Sequence, residues 1–166
     1  MRCPICERAE LVETVQNYRY RECGLDNVIL MGITVRVCPL CDTRVPKIPR
    51  IEGLHDCIAH ALVKKEERLT PAEIVFLRKA LGWSGTDFAR NMQCDNSQVS
   101  KWENGKVPMS KSNELLFREI IARGKKIEDY HREDAARKAA DQVVSLVMRI
   151  DEVKRRWEEA ELQEAA

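Results

Sequence analysis

Two stretches near the start of the chain, Leu11–Tyr20 and Val28–Val37, are rich in β-branched and aromatic residues, and the Gly24–Asn27 segment between them has turn chemistry. This pattern predicts a hairpin that belongs to a small β-meander. Pro46 and Pro49 are expected to break regular structure and close it.

Beyond the prolines the apolar period changes from strand-like to helical. Leu54, Ile58, Ala61 and Leu62 fall at helical spacing within Glu52–Glu67, which predicts a connecting helix ending in the charged run Lys64–Arg68. Thr70-Pro71-Ala72-Glu73 has the form of a capping box with proline at the first helical position, so a new helix opens there. It buries Ile74, Leu77, the stem of Arg78 and Leu81, and Gly82 stops it. A second short helix is expected over Gly85–Met92 with Phe88 and Ala89 inward. A third is capped by Asp95 or Asn96 and runs to Asn104, where Gly105 ends it. Ser110 or Ser112 opens a fourth, in which Leu115, Leu116, Ile120 and Ile121 are apolar. Four short helices in so few residues make a bundle.

The last segment lacks Gly and Pro over 127–163, which predicts one long helix. Ala136, Ala139, Val143, Leu146, Ile150, Val153 and Trp157 step by three and four, as a self-pairing heptad seam does. A helix packed on its own bundle is the simpler alternative.

Chemistry enters with the cysteines. Cys3-Pro4-Ile5-Cys6 and Cys38-Pro39-Leu40-Cys41 are two like pincers, and two intervening residues let both sulfurs of a pincer face one ion about 2.3 Å away. Together they predict a closed Cys₄ zinc site. A thioredoxin-type redox pair needs only one such motif, opening a helix. A rubredoxin-like iron site uses the same ligands, so zinc and iron share the prediction. An odd total of seven cysteines without a preceding signal peptide argues against disulfides and for a cytoplasmic protein. Cys23, Cys57 and Cys94 read as small, partly buried residues. His55 and His60, five apart around Cys57, miss the metal-binding spacing of four and read as surface or packing residues.

The 166 residues carry a net charge of only +1, so overall basicity says nothing about nucleic acid. Residues 71–126 nevertheless hold ten Lys/Arg against six Asp/Glu, while 127–166 hold seven against eleven. A basic middle points to an anionic partner. No apolar run reaches membrane-span length, and no set of nucleophile, base and orienting group can be assembled, so neither a membrane protein nor an enzyme is expected.

The third helix of the bundle refines that partner. Its first turns carry Asn96, Ser97, Gln98, Ser100 and Lys101, with only Val99 and Trp102 pointing inward. Short, amide-rich side chains suit the major groove, where Gln and Asn pair with adenine and Lys with guanine. Ser84 and Thr86, opening the second helix, are placed either to meet a phosphate or simply to cap it. Asn104 and Lys106, at the end of the third helix, are phosphate candidates, and Trp83 reads as core.

The runs Leu81–Ala89 and Gln98-Val99-Ser100-Lys101-Trp102-Glu103-Asn104-Gly105 resemble the Cro/repressor-type (XRE) helix-turn-helix. With the upstream cysteine pincers and connecting helix, residues 1–122 resemble the MqsA/YgiT-type antitoxin regulators. That resemblance implies a structural zinc domain able to hold a protein toxin, and a dimerising domain that binds palindromic DNA. It also implies base contacts by Ser97 and Lys101, where those antitoxins typically carry Asn and Arg.

The expected protein is thus α+β. A zinc-anchored β-meander domain (1–50) leads through a connecting helix (51–69) to a helix-turn-helix bundle (70–124) and a long dimerising C-terminal helix (125–166). Its expected role is sequence-specific transcriptional regulation, as a homodimeric repressor with Zn²⁺ as cofactor. Two alternatives are an antitoxin gripping a protein partner through the zinc domain and a regulator sensing through an iron–thiolate site.

Overall fold

The structure is a computed structural model that describes residues 1–125 and 144–161. Strands β1 (Val12–Arg19), β2 (Val28–Val37) and β3 (Arg44–Pro46) form the expected antiparallel meander, with Val12 opposite Val37 and Val35 opposite Pro46. The β1–β2 register shifts between Gln16 and Tyr18, where Asn17 Oδ1 accepts the Gly32 N–H at 3.0 Å. Pro46 does not break the sheet, as the sequence suggested. It is the last residue of a short strand paired on one side only, where a missing N–H costs no ladder bond.

Five helices follow: α1 (Ile51–Lys64), α2 (Pro71–Ala80), α3 (Gly85–Asn91), α4 (Asn96–Glu103) and α5 (Lys111–Gly124). Their starts are fixed by side-chain caps. Thr70 and Glu73 form the expected capping box, Ser84 and Asp87 form another, and Asp95 and Ser110 each accept an N–H from the first turn of the helix that they open. The buried face of α5 differs from the expected apolar set: Phe117, Arg118, Ile121 and Ala122 turn inward, while Leu116 is 46 % exposed.

The long C-terminal helix is overturned over the residues described. Leu146–Asp151 forms β4, parallel to β2 with Leu146 opposite Val28, and Arg156–Glu159 forms β5, antiparallel to β4. The seam fails because Leu146, Ile150 and Trp157 lie in these strands and Val153, assigned inward, is 95 % exposed at the hairpin tip. A local signal for the reversal was present: Asp151 Oδ1 accepts the N–H groups of Val153 at 3.0 Å and Lys154 at 2.9 Å, a turn that interrupts any helix. Helix propensity, a small term per residue, yields to ladder bonds on β2 and to burial of Leu146, Met148 and Trp157. Ala136, Ala139 and Val143 lie outside the described residues.

The completed sheet has five strands in the order β1-β2-β4-β5, with β3 also on β2. The helices are therefore inserted between the third and fourth strands of one sheet. Helix α1 mediates: it packs on β4 and β5 and also on α2 and α5, and the buried apolar residues of sheet and helices form one cluster. Tyr20 of the sheet meets His55 of α1 through Oη and Nε2 at 3.0 Å, and the His55 ring stands edge-on to Phe76 of α2. Burial holds the His55 pKa below its ordinary value, as suits an imidazole packed between rings. Among the described residues no helix is long and apolar enough to cross a membrane.

The tightest joint lies at the end of α1. Arg118 of α5 has no exposed surface, and its guanidinium donates to the carbonyls of Leu62, Val63, Lys65 and Glu67 at 2.7–3.0 Å. Those carbonyls lie at the end of α1 and just beyond it, where a helix runs out of its own donors. Glu114 completes the network, accepting from Arg118 at 2.8 Å, from the Leu69 N–H at 3.2 Å and from Arg68. Glu73, also buried, pairs with Lys65 at 2.7 Å.

Candidate metal centre and nucleic-acid interface

The two cysteine pincers fold alike. In each, the residue after the second cysteine is left-handed, Glu7 at φ 52° and Asp42 at φ 54°. Their N–H groups bond back to Cys3 O at 3.1 Å and Cys38 O at 3.0 Å. Cys3 N bonds Ala9 O and Cys38 N bonds Thr43 O, both at 2.9 Å, closing each loop. The first pincer precedes β1 and the second follows β2, so strand pairing brings them together. Left-handed backbone favours glycine by about 1–2 kcal/mol. Glu7→Gly is therefore expected to stabilise the metal-loaded protein by about 1 kcal/mol, read as a higher denaturation midpoint, while Asp42→Gly gains less because Asp tolerates this region better.

All four sulfurs lie within 4.8 Å of one another, with Cys3–Cys41 at 3.5 Å and Cys6–Cys38 at 3.6 Å. A tetrahedron of sulfurs about 2.3 Å from a central ion has edges of about 3.8 Å. The cluster has that size, and its contacts are far longer than the roughly 2.05 Å of a disulfide. All seven cysteines are free thiols.

The thiols differ. Backbone N–H groups, Cys6's foremost, hold the Cys3 pKa low, and the Thr43 hydroxyl does so for Cys41, whereas burial pushes Cys38 up. Four thiolates this close repel, and a dication among them allows all four to ionise. The four sulfurs thus fit a metal of the zinc or iron class, which would be held by Cys3, Cys6, Cys38 and Cys41 and would tie the start of β1 to the end of β2.

Away from this cluster, α3 and α4 form the turn unit. Val99 and Trp102 are buried, with the Trp102 ring 6.0 Å from Phe88, so Trp102 is core as expected, while Trp83 is half-buried and packs against that core. Arg78 of α2 fixes the far end of α4 with a two-pronged ion pair to Glu103 and a 2.8 Å bond to Trp83 O. Gly105, at φ +69°, ends the helix where a Cβ would come within 3.3 Å of Pro71 Cγ.

The outward face of α4 carries Asn96, Ser97, Ser100, Lys101 and Asn104, all exposed, with Gln98 half-buried at its edge. A cleft of about 350 Å³ between α3 and α4 gathers Thr86, Asn96, Ser100 and Asn104. Several of these groups also have local duties. The Ser84 hydroxyl accepts from Asp87 N at 3.1 Å and donates to Asp87 Oδ2 at 2.7 Å, serving the cap. The Gln98 N–H bonds the Asp95 carboxylate at 2.8 Å, and the Ser97 hydroxyl beside it and this bond hold the Asp95 pKa low. Asn104 donates to Ser100 O and Oγ at 2.8 and 3.1 Å. Lys101, Lys106 and Thr86 remain exposed to solvent.

Sequence reasoning offered Ser84 as a cap but missed Asp87, its partner in the second capping box, as well as Arg118 and Thr43. The Ser-x-x-Asp spacing of Ser84 and Asp87 was a readable signal for the box, whereas nothing local marked Arg118 as buried.

The helix-turn-helix family matches residues 76–115, from α2 into α5. By that match and its geometry this segment is similar to the DNA-binding helix-turn-helix of XRE-type regulators. No curated protein matches the chain.

Proposed function

We propose that the protein is a sequence-specific transcriptional repressor of antitoxin-like type, binding a palindromic operator as a homodimer through α4, with structural zinc in its cysteine cluster. The observation that carries this reading is the division of α4: Val99 and Trp102 anchor it while short polar side chains and Lys101 face outward. Gln98 and Lys101 are assigned to bases, with Asn96, Ser97 and Ser100 beside them. Thr86, Asn104 and Lys106 are assigned to phosphates, and Ser84 positions the start of α3. Leu116, exposed on α5, supports pairing of subunits through the bundle now that the C-terminal seam is gone.

Lys101→Ala, measured against a selected operator and a random duplex at fixed salt, is expected to narrow the ratio of the two affinities by about five- to a hundredfold, equivalent to about 1–3 kcal/mol. An unchanged ratio with uniformly weaker binding would move Lys101 to the phosphates. Unchanged operator affinity would remove it from the interface.

One observation favours a second reading, in which the cysteine domain grips a protein partner. Ile5 and Leu40, the third residues of the two pincers, are 72 % and 62 % exposed at the metal end. Metal analysis separates zinc from iron, since iron–thiolate absorbs visible light.

A further inference from the structure

The two pincers match in sequence and backbone, yet their second cysteines differ in surroundings. Cys41 is the one exposed ligand of the four; Cys3 and Cys38 are buried and Cys6 is half-buried. Two positions beyond Cys41 stands Thr43, whose Oγ1 lies 3.0 Å from Cys41 Sγ. After Cys6 the counterpart by spacing is Arg8 and by the loop-closing bond is Ala9, and neither carries a hydroxyl.

We propose that Thr43 positions Cys41, the outermost sulfur of the cluster, and so sets how long the site keeps its metal. The proposal rests on the reading of the cluster as a metal site. A metal-bound thiolate has no proton, so in the 3.0 Å contact the hydroxyl donates. Thr43 is itself anchored, because its carbonyl accepts the Cys38 N–H at 2.9 Å. One residue thus holds the backbone of the buried cysteine and the sulfur of the exposed one in the second pincer.

Water and competing thiols reach Cys41 more readily than the other three sulfurs, so metal exchange begins by opening its bond. A hydroxyl that fixes the sulfur's direction and shares its charge slows that opening. Outer hydrogen-bond partners of metal ligands commonly alter affinity about 10–100-fold.

The test compares the full-length, zinc-loaded protein with Thr43→Val, which keeps the shape and removes the hydroxyl, and with Thr43→Ser, which restores it. Zinc transfer to a chromophoric chelator gives affinity and release rate. Iodoacetamide labelling of the loaded protein, mapped by mass spectrometry, gives the exposure of each sulfur. Thr43→Val is expected to release zinc about tenfold faster or more, with excess labelling at Cys41, while Thr43→Ser behaves as the original. Equal release and labelling in Thr43→Val and the original overturn the proposal. So does a Thr43→Ser variant as leaky as Thr43→Val, which would assign the effect to the methyl group. Should Thr43→Val fail to fold, Thr43→Ala against Thr43→Ser makes the same comparison. An original protein that takes up no stoichiometric metal refutes the underlying site itself, a result distinct from any of these.

Discussion

Replacing Arg118 with methionine is expected to destabilise the protein by about 3–5 kcal/mol, the usual cost of removing one member of a buried charged network. The size follows from what the guanidinium serves. Its loss leaves the buried carbonyls of Leu62 and Val63 and the partly buried ones of Lys65 and Glu67 without that donor, and takes one cationic partner from Glu114. Arg68 and the Leu69 N–H still satisfy part of the Glu114 carboxylate, which limits the damage. Denaturant unfolding followed by circular dichroism measures the loss, and a change below about 1 kcal/mol would show that the joint is not structural. The same network bears on dissection. A fragment starting at residue 68 keeps α2–α5, the DNA reader of the proposed function, but strips Arg118 of all four carbonyls, so it starts from a disrupted core.

Stripping the metal is expected to have the larger effect, concentrated at one end of the sheet. Structural zinc commonly contributes an apparent 10–16 kcal/mol at pH 7, as much as or more than the 5–15 kcal/mol that holds a typical domain folded. The strand ends beside the cysteines depend on it most: Val12–Gln16, Ile33–Val37 and Arg44–Pro46 lie near the cluster, whereas Val28–Leu30 is held from the far side by β4. Hydrogen exchange after chelation should therefore show lost protection at those ends and retained protection across α2–α5, whose caps and core do not involve the cysteines. Uniform loss across the whole chain would mean that α1 transmits the collapse to the reader. Unchanged exchange would mean that the cluster has no structural metal.

What could be read from the sequence was whatever is local. Capping boxes, glycine stops and cysteine spacing each involve residues within a few positions of one another, and Thr70–Glu73, Gly105 and the four clustered cysteines all stand where that grammar places them. The misses have distant causes. Leu146–Met148 becomes a strand because β2 offers it a free edge, and no periodicity within the segment reports that edge. Arg118 looked like one more surface charge among the apolar residues of α5 until α1 supplied its acceptors. The outward face of α4 was legible as polar, but the engagement of Ser84, Ser97 and Asn104 in their own helix ends required coordinates, since one hydroxyl or amide serves cap and ligand equally well on paper.

The insertion of the reader between β3 and β4 has a consequence for the order in which the molecule assembles. Asn27 donates to Val144 O, 117 positions further along the chain, and the β2–β4 ladder begins beside that bond. Contacts so distant in sequence form late, because the entropy of closing the loop must be met before the ladder gives anything back. On a ribosome the meander and the reader can take shape first, leaving the Val28–Leu30 edge of β2 uncovered until the final hairpin arrives. During that interval the nascent chain exposes an apolar strand edge of the kind that recruits other chains, so the completing strands also act as its protection against aggregation during synthesis.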